Sequence, residues 1–400
     1  ELYTTGMFHG PLYHSVSGLL GWDHAGIDAV LTDTPLDGFF EPGRRPRFVL
    51  NPVLLDAIGH VTAFWIAQSL GTDFSSFPSR IARIDLFDAG REDTAGSRIS
   101  GRLGFEAGAS GGRFLTGDFT CVGPDGQVLL RASGWRDRFF DVPNRFYFAR
   151  WAPRDGFYGE DVSGLFGSLP GEALVWSVPS FPKGFLDDAG GIWRRVLANT
   201  VLSAEERLQW KALPGQQRRR DEWLIGRIAL KEATRVWIER VHGYRLYPAD
   251  VVIRVAEGGK PYVAMEGLEA FGELPEVSLA HVEGEAVAVA APPGIPVGID
   301  LERAGRIKTP DLLAGGFSDL ETNRLFGTGS DPARVLQAWC AKEAAAKCLG
   351  EGLNGRPKNF IVSAMDEYGN AQVDAGSGIL RVALAADGAS MLAVAWRAET

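Results

Sequence analysis

Two short segments in the last quarter of this 400-residue chain constrain its fold most, because their polar side chains form one cluster only if a strand and a helix lie together. The first, Gly298-Ile299-Asp300-Leu301-Glu302, alternates as a strand does. Ile299 and Leu301 then point to one face, and Asp300 and Glu302 to the other. The second runs Trp339-Cys340-Ala341-Lys342-Glu343-Ala344-Ala345-Ala346-Lys347. It predicts a helix opened by Asp331-Pro332 as N-cap and first-turn proline and closed near Gly350, with Trp339, Glu343 and Lys347 along one face. Asp300, Glu302 and Glu343 together offer three hard oxygen ligands with a lysine beside them. Mg²⁺ suits that set, since it keeps several waters and sits between a few carboxylates and substrate phosphates. No His/Cys cluster accompanies the segments to favour zinc. Taken singly, Asp-x-Glu also reads as a solvated strand edge, and Lys-Glu-x-x-x-Lys as an ordinary exposed helix face.

Composition narrows the setting. A hydrophobic fraction of 45% with 23% charged residues is that of an ordinary soluble protein, long enough for two or three cores. The formal net charge of −9 argues against a general nucleic-acid binder, despite the short run Arg218-Arg219-Arg220. Cys121, Cys340 and Cys348 make no disulfide framework, so a reducing, cytoplasmic compartment is expected. The apolar stretch from Ala286 to Ile299 is broken by Pro292, Pro293 and Pro296, and no membrane span is expected. Residues 141–184, rich in Gly, Pro and aromatics, read as a connector. The Pro-rich turn between Ala291 and Pro296 divides two comparable units, without a convincing sequence repeat.

Toward the N-terminus, Asn51-Pro52 predicts a helix start, and the residues to Trp65 are apolar almost all round, as in a buried helix. Asp56 and His60 lie at i, i+4 on it and must be satisfied or functional. Strand-like runs flank it at 81–87, 98–105, 113–122 and 128–134, the last pair joined by Pro124-Asp125-Gly126. A long helix wrapped by antiparallel strands is a hotdog arrangement.

The ordered set of C-terminal motifs resembles the surfactin-type 4′-phosphopantetheinyl transferases. Besides the two segments above, the chain carries Gly226-Arg227 within a helix beginning near Asp221. It also has Gly259-Lys260-Pro261, the strand Ser278-Leu279-Ala280-His281, Phe317-Ser318-Asp319-Leu320-Glu321, and Gly350-Glu351-Gly352-Leu353. The resemblance implies a pseudo-twofold pair of α+β subdomains (185–295 and 296–400) with the active site between them. It further implies Mg²⁺ on Asp300, Glu302 and Glu343, and coenzyme A as substrate. Lys347, Lys260, His281, Arg227 and Arg220 would contact coenzyme A phosphates. Glu321 would be the general base for a carrier-protein serine, with Lys347 also catalytic. Ala280 departs from the pattern, since many relatives have Ser before the His.

Residues 1–140 resemble the C-terminal half of a polyketide synthase dehydratase domain, through Phe8-His9-Gly10-Pro11 and Leu55-Asp56-Ala57-Ile58-Gly59-His60. This implies a catalytic Asp56 that acts with a histidine from a preceding hotdog. His9 and His14 match no motif for that partner, and a structural role for the Asp56–His60 pair stays open. Together the resemblances imply an α+β chain from the end of a synthase of the enediyne type, its partners an acyl carrier domain and upstream synthase domains. The start at Glu1 reads as a fragment of such a synthase. A docking or dimerisation module and a hotdog hydratase or thioesterase remain as alternatives.

Overall fold

The computed structural model describes residues 2–5, 7, 9–44, 46–70, 74–106, 114–264, 272–305, 309–327, 329 and 331–397. Phe8 of the opening motif and Arg113 of a predicted strand lie outside them. The chain forms two compact units, Glu1–Tyr147 and Phe148–Thr400. Among the described residues no helix is long and apolar enough to cross a membrane.

The first unit holds the short helix α1 (Leu2–Thr5), the long helix α2 (Pro52–Leu70) and strands β1 (Val16–Asp23), β2 (Gly26–Leu31), β3 (Phe74–Leu86), β4 (Arg98–Phe105), β5 (Phe114–Val122) and β6 (Val128–Asp141). The strands make one antiparallel sheet in the order β1-β2-β4-β5-β6-β3. Helix α2 begins where Asn51 Oδ1 accepts the Val53 N–H at 2.9 Å, an N-cap. Ala57, Ile58, Val61 and Trp65 from the helix join Ile99, Leu115 and Phe119 from the strands in one core. This is the expected hotdog. Strands β1 and β2 escaped the sequence pattern. Register shifts between Val16 and Gly18 and between Leu19 and Gly21 break the two-residue period that would have marked β1.

One buried acid in this unit gives a testable consequence. Asp137 on β6 is 1% exposed and accepts a 2.6 Å hydrogen bond from Trp135 Nε1. Burial nevertheless pushes its carboxyl up to about 6. The folded chain thus holds this proton more tightly than the unfolded chain, so stability falls as pH climbs from about 4 to about 6. Asp137→Asn retains an acceptor for Trp135. It is expected to abolish that fall and to exceed the parent in stability at neutral pH by roughly 1–3 kcal/mol. Urea unfolding of both proteins at acidic and neutral pH reads the difference directly.

In the second unit, β7 (Glu160–Asp161) and β8 (Leu174–Val178) follow helix α3 (Asn144–Trp151). Residues 141–184, expected as a connector, therefore supply a fully buried interior strand, β8. Its five residues are too few to show a period among the surrounding Gly and Pro. Helices α4 (Asp188–Val201), α5 (Ala204–Ala212) and α6 (Gln217–His242) come next, then the hairpin β9 (Ile253–Val255) and β10 (Pro261–Val263), and the hairpin β11 (Glu276–Val282) and β12 (Glu285–Ala291). The chain then repeats this order. Strand β13 (Val297–Arg303) leads to α7 (Thr309–Gly316), α8 (Asp319–Phe326) and α9 (Pro332–Cys348), and on to β14 (Ile361–Met365), β15 (Asn370–Asp374), β16 (Ile379–Asp387) and β17 (Ser390–Arg397).

In both halves the last strand returns to pair antiparallel with the first, giving β11-β12-β8 and β16-β17-β13. The long helices α6 and α9 pack against those paired strands. The Pro-rich turn between β12 and β13 falls where the repeat restarts.

Candidate active site

Glycine decides how closely α9 approaches β13. A side chain at Gly298 would overlap the Ala344 carbonyl and the Cys348 amide, so only glycine lets the helix settle on the strand. One strand period further on, Asp300 and Glu302 share the face of Gly298 and meet Glu343 on the helix. One carboxylate oxygen from each of Asp300, Glu302 and Glu343 lies within 4.8 Å of the others. Asp300 and Glu302 are buried, and Glu343 is half-buried. Lys347 Nζ donates to Asp300 Oδ1 at 2.8 Å. Burial alone would lower the Lys347 ammonium, but the charge of Asp300, its hydrogen bond and the charge of Glu343 together more than offset it and the value is raised. Burial and the facing Asp300 push the Glu343 carboxyl up to about 8, with Lys347 pulling the other way.

Lys347 bonds Asp300 through Oδ1, while Asp300 Oδ2 is buried without a hydrogen-bond partner among the described residues. Such an atom is costly unless a further cation meets it. The all-oxygen donor set fits Mg²⁺.

The remaining sequence-derived candidates separate into distinct places. Lys260, in the turn between β9 and β10, bonds Glu276 at 2.9 Å. The aliphatic stem of Lys260 lies over Gly350, just past the end of α9. Ser278 Oγ accepts the Ile299 N–H at 3.2 Å, tying β11 to the carboxylate strand. His281 stands exposed on β11, on the face opposite Ser278 and Ala280. Ala280 itself is 3% exposed, so the residue that departs from the family pattern faces the interior. Arg220, near the start of α6, donates to the Leu213 carbonyl at 3.2 Å.

Two expectations change. Arg227 is only 6% exposed; its guanidinium lies over Trp223, and its Nε is 4.0 Å from Glu206. It is an interior group of the first half rather than an open phosphate contact. Glu321 is 2% exposed and its oxygens are already engaged. It closes a capping box with Ser318 at the start of α8, accepts the Val362 N–H at 2.9 Å, and pairs with Lys342 at 2.7 Å. Lys342 is fully buried, and its ammonium also donates to the carbonyls of Gly316 and Pro357.

The first half builds the same cluster. Glu206 closes a capping box with Ser203, accepts the Ile253 N–H, and pairs with fully buried Lys231, which also donates to the carbonyls of Val201 and Pro248. Ser203, Glu206, Lys231, Pro248 and Ile253 thus correspond in order to Ser318, Glu321, Lys342, Pro357 and Val362. A glutamate duplicated with all its partners holds the subdomain together. That correspondence pairs Glu232 with Glu343. Buried Glu232 accepts from the Tyr158 and Gly159 amides and from Trp176 Nε1 on β8, so an indole donor stands beside it rather than a second carboxylate. The signal for this repeat lay in Lys-Glu-Ala at 231–233 and again at 342–344, too short to notice unaided.

In the first unit Asp56 meets two histidines. Its Oδ2 is 2.9 Å from His60 Nε2 and 3.5 Å from His9 Nε2. Sequence reasoning discounted His9 because it fits no motif; proximity in space was the missing information.

The second unit combines repeated halves with a strand–helix carboxylate cluster, and part of its second half matches a known family. Residues 296–376 match the family model of the 4′-phosphopantetheinyl transferase superfamily. Residues 2–142 match that of the polyketide synthase dehydratase N-terminal domain. The chain therefore joins a polyketide synthase dehydratase hotdog to a phosphopantetheinyl transferase domain. The dehydratase model is that of the N-terminal domain, where the motifs had resembled the C-terminal half.

Similar solved structures include the dehydratase domain of PpsC from Mycobacterium tuberculosis in complex with C12:1-CoA, at 26% identity over 33% of this chain and 46% of that one, TM-score 0.27. An N-terminal dehydratase from the difficidin assembly line shows 16% identity over 34% and 44%, TM-score 0.26. A trans-acyltransferase polyketide synthase enoyl-isomerase shows 16% identity over 32% and 46%, TM-score 0.26. The chain spans less than half the length of these relatives. No curated protein matches it.

Proposed function

We propose that the second unit transfers the 4′-phosphopantetheine arm of coenzyme A to a serine of an acyl carrier protein or domain, with Mg²⁺ held by Asp300, Glu302 and Glu343. The observation that carries this reading is the buried carboxylate cluster with its unpartnered Asp300 oxygen, in a segment that matches the transferase superfamily. Bound there, Mg²⁺ would neutralise pyrophosphate charge as 3′,5′-ADP departs. Lys347, fixed by Asp300, holds a positive charge beside the same cluster. Lys260, packed over Gly350 at the end of the same helix, extends that positive edge, and His281 and Arg220 remain candidates for the nucleotide end. With Glu321 bound up in the Lys342 cluster, the acceptor for the serine proton falls to the carboxylate cluster itself.

The dehydratase match supports the carrier domain of a polyketide synthase as the acceptor. Incubation of the chain with Mg²⁺, coenzyme A and an apo carrier protein is expected to add one phosphopantetheine mass to the carrier. Glu343→Ala should lower the rate by at least about 10³-fold, as loss of a metal-anchored electrostatic contribution does. Absence of any mass gain with several carriers would favour a docking module instead, and undiminished transfer by Glu343→Ala would remove the proposed site.

A further inference from the structure

Lys260 reaches the helix of the carboxylate cluster from the other half of the second unit. It ends a tight turn between β9 and β10, in which the Gly259 N–H donates to the Ala256 carbonyl at 2.8 Å and the Ala256 N–H to the Lys260 carbonyl at 2.9 Å. The turn sits against the end of α9. A side chain at Gly258 would come within 3.0 Å of the Gly350 carbonyl, and the stem of Lys260 covers Gly350 itself. Gly350 in turn donates its N–H to the Lys347 carbonyl at 3.0 Å. Lys347 and Lys260 are thereby fixed at one end of one helix.

Their carboxylate partners differ. Lys347 is bonded to Asp300, one of the three proposed Mg²⁺ ligands. Lys260 Nζ donates to Glu276 Oε2 at 2.9 Å, and Glu276 belongs to no metal cluster among the described residues. Nor does its side chain hold a helix cap or a backbone amide, as Glu321 and Glu206 do. Among the described residues Lys260 is its hydrogen-bond and ion-pair partner. Glu276 is firmly placed, at the start of β11 opposite Ala291 and two residues before Ser278, which ties β11 to the carboxylate strand. Burial pushes the Cys348 thiol up to about 11; Lys260 lowers it and Glu276 raises it, which puts the pair beside the last turn of α9.

Side-chain exposures of 25% for Lys260 and 36% for Glu276 leave the pair open to a ligand. An ammonium with one N–H engaged has two more to offer. An anion that reaches those donors also meets the Glu276 charge a few ångströms away, so the carboxylate weakens the hold of the lysine on it. An exposed pair of this kind contributes little to stability. Its charge acts on the ligand rather than on the fold.

We propose that Glu276 sets the affinity of the second unit for coenzyme A: its hydrogen bond keeps Lys260 in place, while its charge limits how tightly Lys260 holds a substrate phosphate. The proposal rests on the transferase reading, which supplies the phosphate-bearing substrate, and adds the residue that restrains its binding. The departing 3′,5′-ADP carries phosphates as well, so the same restraint favours its release.

Calorimetric titration of coenzyme A into the full chain with Mg²⁺ and without a carrier tests this. Glu276→Gln keeps an acceptor for Lys260 and removes the charge, and is expected to tighten binding by about 5–50-fold at low salt. The gain should shrink as ionic strength rises. Lys260→Met should weaken binding, and adding Glu276→Gln to that variant should change affinity by no more than about twofold, because the carboxylate acts through the lysine. Tighter binding is the opposite of what damage to the fold produces. Unchanged or weaker binding by Glu276→Gln, an equal gain in the Lys260→Met background, or a parent chain that binds no coenzyme A would overturn the proposal. The expected affinity shifts without transfer to any apo carrier would instead overturn the transferase reading and leave Glu276 in its role.

Discussion

Lys342→Met is expected to destabilise the second unit by about 3–5 kcal/mol, the usual cost of stranding one partner of a buried ion pair. The ammonium is fully buried, and burial already lowers its proton affinity. It stays charged because Glu321 lies 2.7 Å away and because two carbonyls accept its other protons. Methionine fills the space but leaves the Glu321 carboxylate without its countercharge, facing only the Ser318 cap and the Val362 amide. The double variant with Glu321→Gln should recover most of the loss, since a neutral amide still accepts from those donors. Urea midpoints of the four proteins form the cycle. The same cycle tests the reassignment of Glu321. If Glu321→Gln abolished phosphopantetheine transfer with an unchanged unfolding midpoint, the residue would be a base after all, and the structural reading would be wrong.

Gly298→Ala should have the second large effect, by a different route. The added methyl group overlaps two backbone atoms of α9, and backbone cannot rotate away as a side chain can. The helix must shift, at a cost of about 1–3 kcal/mol for overpacking. More tellingly, the shift carries Glu343 and Lys347 away from Asp300, and a displacement of about 1 Å in a catalytic constellation costs roughly 10²-fold in rate. Transfer measured well below the unfolding transition should therefore fall far more than stability does. An alanine variant that transfers at the parental rate would show that the close helix–strand approach is not what aligns the cluster.

These two residues also show what was readable in advance. The strand and helix around Asp300, Glu302, Glu343 and Lys347 were legible because alternation and i, i+4 spacing are local properties of the chain, and both elements formed as expected. The buried helix after Asn51 was legible for the same reason. Strand β1 was not, because bulges shift its phase, and β8 was not, because five buried residues carry no period. Glu321 was misjudged in the other direction. Its motif marked it as special, but the sequence does not say whether a glutamate is special for chemistry or for packing.

What the sequence by itself determined is the set of local elements, the shared face of the carboxylates and lysine, and the two families the chain resembles. Each follows from interactions among residues close together along the chain. Only the tertiary structure decided which charged groups meet. Lys342 and Glu321 are joined across 21 positions, Lys231 and Glu206 across 25, and Asp300 and Lys347 across 47. His9 and Asp56, equally remote in sequence, meet at 3.5 Å. The energy of a charged group is set by its burial and by the partners within a few ångströms, and both come into being only when distant segments pack.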